Sequence, residues 1–221
     1  MFLENLLSDM TTDNDADAFA AGEICRVGGL ALTQRALELC AFAPAACLVD
    51  IGCGKGATVR YLRAAGFGAH GLDCNAEIIP QAGPYCRTGD ALALPYATHS
   101  VDGLFFECSL SQMTAPCQAL REACRVLLPG GKIVISDIYA RNEELQVSWP
   151  LLNRSHWLKL CCKADFSRLI FEDRSDDLKA LNAQLLWRYG RRNIEEVYGC
   201  GYDASVFKAA RCGYFLLIAE K

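Results

Sequence analysis

The sequence predicts an α/β fold in which a parallel sheet is covered by helices on both faces. Two observations carry this prediction. Apolar strand-like runs alternate with helix-like segments from Cys47 to Ser136, the order that builds a parallel sheet. The first such run, Leu48-Val49-Asp50-Ile51, breaks into Gly52-Cys53-Gly54-Lys55-Gly56 and then a helix-like stretch. This is a buried strand, a tight turn and a helix start. Glycine is needed in such a turn because only a residue without Cβ bends sharply and lies against a ligand.

The elements follow in order. Residues 1–25 carry Glu4, Asp9, Asp13, Asp15, Asp17 and Glu23 with no Lys or Arg, an acidic leader that Arg26-Val27-Gly28-Gly29 breaks. Thr33 is expected to cap a helix with Ala36, Leu37 and Cys40 on its apolar face, closed by Pro44. Strands are expected over residues 47–51, 69–72, 85–88, 102–107 and 132–136, and helices over 57–65, 76–81 and 116–127. Leu120, Ala123, Cys124 and Leu127 form a core stripe. Pro129-Gly130-Gly131 supplies a turn before the fifth strand. Beyond Asp137 the pattern gives a helix over 149–163, a strand over 167–171, a helix over 178–189 and a final strand over 213–219.

Bulk properties narrow the class. A chain of 221 residues suits one large domain, here 1–221, with residues 1–44 as N-terminal lid and helices, 45–138 as core and 139–221 completing the substrate side and the sheet. A hydrophobic content of 52% excludes a mainly disordered chain. A net charge of −4 argues against a nucleic-acid partner held by phosphate neutralisation. With 13 cysteines, 3 histidines and no C-x-x-C spacing, no metal site is expected. No signal peptide or bilayer-length apolar run is evident, so a cytoplasmic protein with reduced, mostly buried cysteines is expected. Oligomeric state is not legible.

Ligands of open parallel sheets bind beyond the carboxyl ends of the strands. This chain places acids there. Asp73 ends the second strand about 20 residues after the first glycine, where a carboxylate can accept both hydroxyls of a ribose. Gly89-Asp90-Ala91 follows strand three, and strand four ends at Glu107-Cys108-Ser109. The glycine spacing is G-x-G-x-G rather than the G-x-G-x-x-G of dinucleotide folds, and no phosphate cradle of the GK[ST] type is present.

Val49-Asp50-Ile51-Gly52-Cys53-Gly54-Lys55-Gly56 resembles the first motif of class I S-adenosylmethionine-dependent methyltransferases. Asp73, the segment Gly89 to Tyr96, the segment Ser100 to Phe106 and the segment Arg125 to Lys132 match later parts of that family in order, over roughly residues 45–138. The resemblance is nearest to the small-molecule type, the ubiquinone/menaquinone and arsenite methyltransferases. Arg26-x-Gly28-Gly29-Leu30-x-Leu32-Thr33 is similar to part of some members' cofactor lid.

The resemblance implies a doubly wound, seven-stranded Rossmann-like sheet of order 3-2-1-4-5-7-6 with strand 7 antiparallel and an N-terminal helical lid. It implies S-adenosylmethionine as cofactor and a small-molecule substrate. The Gly52, Cys53, Gly54 and Gly56 turn would lie against the methionine part, with Asp50 orienting its ammonium. Asp73 would hold the ribose with Cys74 beside it, and Asp90 and Ala91 would meet the adenine. Glu107 and Cys108 would sit under the sulfonium with their carbonyls. The strand-four end lacks the Asn/Asp-Pro-Pro-Tyr tetrapeptide of base methylation, a second reason to expect no nucleic acid.

A general base is needed only if the acceptor keeps its proton; the candidates are His156, Tyr139 and Tyr198. Bland readings stand beside these. Asp73 would serve as a helix cap, Asp90 as a solvated turn acid, Asp50 as a structural acid, and Glu107 and Cys108 as strand-end packing. Two rival functions remain: a non-catalytic S-adenosylmethionine-binding protein, and an NAD(P)-dependent oxidoreductase.

Overall fold

The computed structural model describes residues 26–145, 148–189 and 204–221. The acidic leader and Tyr198 lie outside them. The strands are β1 Cys47–Ile51, β2 Gly68–Asp73, β3 Cys86–Thr88, β4 Val101–Glu107, β5 Leu127–Tyr139, β6 Ser167–Asp173 and β7 Gly213–Glu220. The helices are α1 Gly29–Cys40, α2 Ala57–Ala64, α3 Ile79–Ala82, α4 Pro116–Val126, α5 Arg154–Cys162, α6 Ser175–Tyr189 and α7 Ala204–Ala210. One sheet runs β3-β2-β1-β4-β5-β7-β6. Strands β1 to β5 pair in parallel, and β7 runs antiparallel between β5 and β6. The architecture is the Rossmann-like order expected above.

Side chains alternate across the sheet, as the strand period of two requires. Val49, Ile51, Phe106 and Ile135 join a core with Leu120 and Ala123 of α4 and Trp157 of α5. Leu48, Phe105 and Val134 join the opposite core with Leu32 and Ala36 of α1, Leu62 of α2 and Leu178 of α6. The alternation also decides where the polar strand-end residues go, since residue 107 shares its face with Phe105 and residue 137 with Ile135.

Four boundaries differ from expectation for stated reasons. Thr33 is not the cap of α1: the helix starts a turn earlier, from Gly28 at φ 75°, and the Thr33 hydroxyl donates to Glu107 instead. The helix expected over 76–81 shortens to α3, because the Asp73 and Asn75 carboxyl and amide oxygens first accept the backbone N–H groups of Asn75 and Glu77. Pro129-Gly130-Gly131 is not a turn before β5 but part of it, since Gly130 and Gly131 hydrogen-bond with Lys221. Helix α5 starts at Arg154 because Asn153 caps it, accepting from the His156 N–H at 3.0 Å. The cysteines are less buried than expected: among the described residues Cys40, Cys53 and Cys161 are buried, while Cys74, Cys117 and Cys162 are exposed.

Candidate functional site

A cavity of about 450 Å³ opens where β1, β2 and β4 end. Gly52, Asp73, Cys74, Asp90, Ala91 and Cys108 stand in its wall, with Ile51, Leu72 and Leu92 supplying apolar surface. Ser109, Gln112, Met113 and Thr114 close the β4 side. This is the crevice beyond the strand carboxyl ends, at the point where the sheet order reverses from β1 to β4.

The first turn is held from two directions. The Gly52 and Cys53 N–H groups donate to the Leu72 carbonyl at 2.7 and 3.1 Å. The Gly54 N–H donates to Asp73 Oδ2 at 2.8 Å, so the β2 acid braces the β1 turn. Gly52 sits at φ 80°, and a Cβ there would fall 2.4 Å from Ser109 Cβ. Gly56 sits at φ 76°, and a Cβ there would fall 2.4 Å from the Ala82 carbonyl oxygen. Gly54, at φ 50°, has no protein atom within 4 Å of that position. Gly52 and Gly56 therefore answer to packing, while Gly54 faces open space. Cys53 is buried at 7% exposure and, like Gly54 and Gly56, is not part of the cavity wall.

Asp73 uses one acceptor position on each oxygen, for Gly54 and Asn75. A carboxylate offers about four, so two positions remain for a diol. Asp90 Oδ1 accepts from the Leu92 N–H at 2.8 Å, which shapes the loop after β3.

Asp50 and Glu107 are buried on the face that carries α1 and α2, outside the cavity wall. Glu107 accepts from Thr33 Oγ1 at 2.8 Å and Thr58 Oγ1 at 2.6 Å, and pairs with the Arg26 guanidinium at 2.8 Å. Burial, and then the neighbouring Glu107 charge, push the Asp50 carboxyl well above its ordinary range. Arg26 pulls it back, but one guanidinium serves two buried acids. A cation held nearby would bring the Asp50 carboxyl back toward its ordinary range. Arg26 and Thr58 had no role in the sequence reading. The signal for Arg26 was its place in the segment resembling a cofactor lid, and for Thr58 its place two residues past the last turn glycine.

At the β4 end, Cys108 takes φ 54°. Its Sγ lies 2.8 Å from the Tyr214 hydroxyl, and its carbonyl accepts from Gln112 Nε2 at 3.0 Å. Burial pushes the Cys108 thiol up to about 12, so it is neutral. Asp137, at 2% exposure, accepts from the Ser111 N–H at 2.9 Å, and burial raises its carboxyl to about 6. The sequence signal was available: like Asp50 and Asp73, it is an acid ending an apolar run.

Of the candidate bases, the two among the described residues do not stand in the cavity wall. Tyr139 packs edge-on against Phe171 and Phe215 with 6% exposure. His156 lies in the exposed first turn of α5, its Nδ1 at 2.6 Å from Asn153 Oδ1.

Residues 49–135 match the family model described as a methyltransferase domain. Over those residues the chain is similar to methyltransferase domains, as its glycine turn and strand-end acids led one to expect. A malonyl-acyl-carrier-protein O-methyltransferase of Erwinia billingiae is 32% identical over 112 residues, covering 48% of this chain and 45% of that protein. A ubiquinone/menaquinone biosynthesis C-methyltransferase of Roseobacter denitrificans is 33% identical over 101 residues, covering 40% of each. The match thus spans less than half the length of these relatives. Among solved structures, a geranyl diphosphate C-methyltransferase from Streptomyces coelicolor superposes with a TM-score of 0.71 at 17% identity, covering 86% of this chain and 78% of that one. The cyclase SpnF superposes with a TM-score of 0.66 at 24% identity, covering 86% and 80%. These two share the fold, which by itself fixes no reaction.

The methyltransferase cofactor suits this chain's donors. Asp73 keeps two acceptor positions for a ribose, Ile51, Leu72 and Leu92 offer apolar faces to a base, and an ammonium beside the first turn would favour the charged form of the buried Asp50. No helix among the described residues is long and apolar enough to cross a membrane.

Proposed function

We propose that this methyltransferase domain transfers a methyl group in line to a neutral small-molecule acceptor. The observation that carries the reading is Asp73, braced on Gly54 and Asn75 in the wall of a cavity at the strand ends, with acceptor positions to spare. S-adenosylmethionine, when bound, supplies a methyl group already activated on a sulfonium sulfur. The chain's own residues then have three tasks. Asp73 binds the ribose hydroxyls, and Asp90 and the Ala91 backbone orient the adenine. The Gly52–Gly54 backbone lies along the methionine part, with Asp50 favouring its ammonium. The Cys108 carbonyl, positioned by Gln112, would stabilise the sulfonium charge, and the wall residues Cys108, Ser109, Gln112, Met113 and Thr114 would exclude water.

Ser109, Gln112, Met113 and Thr114 carry no formal charge, which supports a neutral acceptor on that side. The names of the curated relatives support small or carrier-borne acceptors. We assign no general base: alignment of the acceptor supplies the rate, and Tyr139 and His156 are engaged elsewhere. A cytoplasmic setting belongs to the same reading and rests on the 13 cysteines.

Calorimetry with S-adenosylhomocysteine and with NAD, followed by turnover of labelled S-adenosylmethionine on a panel of neutral acceptors, tests this. Binding of S-adenosylhomocysteine alone, with label transferred, is expected. NAD binding without S-adenosylhomocysteine points to the oxidoreductase, and cofactor binding with no transfer to any acceptor points to the non-catalytic protein.

A further inference from the structure

The glycine turn carries a feature that the proposed reaction does not use. Cys53, in the middle of the turn, points away from the cavity and over β2. Cys86, the first residue of β3, points over the same spot. Gly71 lies beneath them in the middle strand, registered with Asp50 of β1 on one side and Cys86 on the other. A Cβ on Gly71 would fall 2.7 Å from each of the two sulfurs. The sulfurs are therefore no further apart than twice that distance, in a space that exists because residue 71 has no side chain.

The two thiols are unequal. The neighbouring Cys86 thiol, and then burial, hold the Cys53 thiol far above its ordinary value, while the Cys53 thiol lowers that of Cys86. Cys86 is also the one an oxidant can reach. It is half-buried, whereas Cys53 is only 7% exposed. This is the arrangement of a reactive thiol beside a resolving one.

We propose that Cys53 and Cys86 form a reversible disulfide that controls the glycine turn. With hydrogen peroxide as oxidant, the Cys86 thiolate attacks one peroxide oxygen. The O–O bond breaks, hydroxide leaves and takes up a proton as water, and Cys86 becomes a sulfenic acid. The Cys53 sulfur then attacks the Cys86 sulfur and loses its proton. The S–O bond breaks, the hydroxyl leaves with a proton as a second water, and the S–S bond forms. Two thiols lose two electrons and two protons, and the peroxide is reduced to two waters.

Bonding to Cys86 draws Cys53 toward β3, and Cys53 is flanked by Gly52 in the cavity wall and by Gly54, which Asp73 braces. Oxidation therefore loosens the turn on its ligand side. That consequence, unlike the disulfide itself, rests on the cofactor reading of the cavity.

The full chain treated with hydrogen peroxide tests this. Peptide mapping without reduction should join the Cys53 peptide to the Cys86 peptide, with the loss of two hydrogens in intact mass and reversal by dithiothreitol. S-adenosylhomocysteine affinity should fall about tenfold on oxidation and recover on reduction. Cys86→Ser should bind like the reduced wild type before and after peroxide, while Cys74→Ser should still form the 53–86 link. A link to any other cysteine, no link at all, or oxidised wild type that binds as well as reduced overturns the proposal. Reduced protein that never binds S-adenosylhomocysteine, yet forms the link, overturns the cofactor reading and leaves the thiol pair standing.

Discussion

Replacing Glu107 by alanine should destabilise the protein by about 3–5 kcal/mol, the cost of removing one partner from a buried ion pair. The magnitude follows from the surroundings. The Arg26 and Glu107 side chains are only 10% and 3% exposed, so water does not replace the lost carboxylate, and Asp50, whose ionisation burial disfavours, is a poor substitute. Two hydroxyls, Thr33 and Thr58, also lose the carboxylate that accepts from them at 2.8 and 2.6 Å. The assay is urea unfolding of the full chain at neutral pH, followed by far-UV circular dichroism, with wild type, Glu107→Ala, Arg26→Met and the double variant. The double variant should recover part of the loss, because it leaves neither charge buried alone. Thr58→Val should cost less, about 1.5–3 kcal/mol, for one bond to a charged group. If Glu107→Ala costs under about 1 kcal/mol, the typical value for an exposed pair, the clamp is solvated and the argument fails.

Other outcomes follow from the same geometry. Asp73→Ala should weaken S-adenosylhomocysteine binding by about 1.5–3 kcal/mol through lost charge-assisted bonds; unchanged affinity in calorimetry removes Asp73 from the site. Gly54→Val should remain folded at a strain cost of about 1–2 kcal/mol from its positive φ, yet lose ligand, because the space its side chain enters holds no protein atom within 4 Å. Normal binding by that variant means that the turn does not face the cofactor. Gly52→Ala should fail at the level of folding, since its Cβ meets Ser109; a wild-type melting temperature contradicts the packing. Asp137 titrates at about 6 when folded, above the ordinary carboxyl value, so its ionisation opposes folding. Its protonated form is the better tolerated, and stability from this group falls as pH rises from about 4 to 6. Asp137→Asn, compared with wild type by urea unfolding, should gain about 2–3 kcal/mol in relative stability across that window. A parallel pair of pH profiles refutes it.

The site was partly legible because its signals are local. Asp73 and Asp90 stand at strand ends and reach the cavity wall whatever lies on the helices. Glu107 stands at a strand end too, but its face is set by alternation from Phe105, and it turns into the α1–α2 layer instead. His156 and Tyr139 qualify as bases by side-chain chemistry, which does not say where the fold places them. The first is held by a helix cap and the second by the aromatic cluster of Phe171 and Phe215, neither of which has a short-range signature.

By itself the sequence determined the alternation of strands and helices in the core, the glycine turn and the acids after it. These depend on hydrophobic periodicity and on backbone conformations that only glycine adopts readily. Tertiary structure alone decided what meets across the sheet. Arg26, Thr33 and Thr58 converge on Glu107 from 81, 74 and 49 residues away in the chain, and Cys53 and Cys86 converge over Gly71. Such meetings depend on which strand lies beside which and on which face each side chain takes. No run of neighbouring residues encodes that.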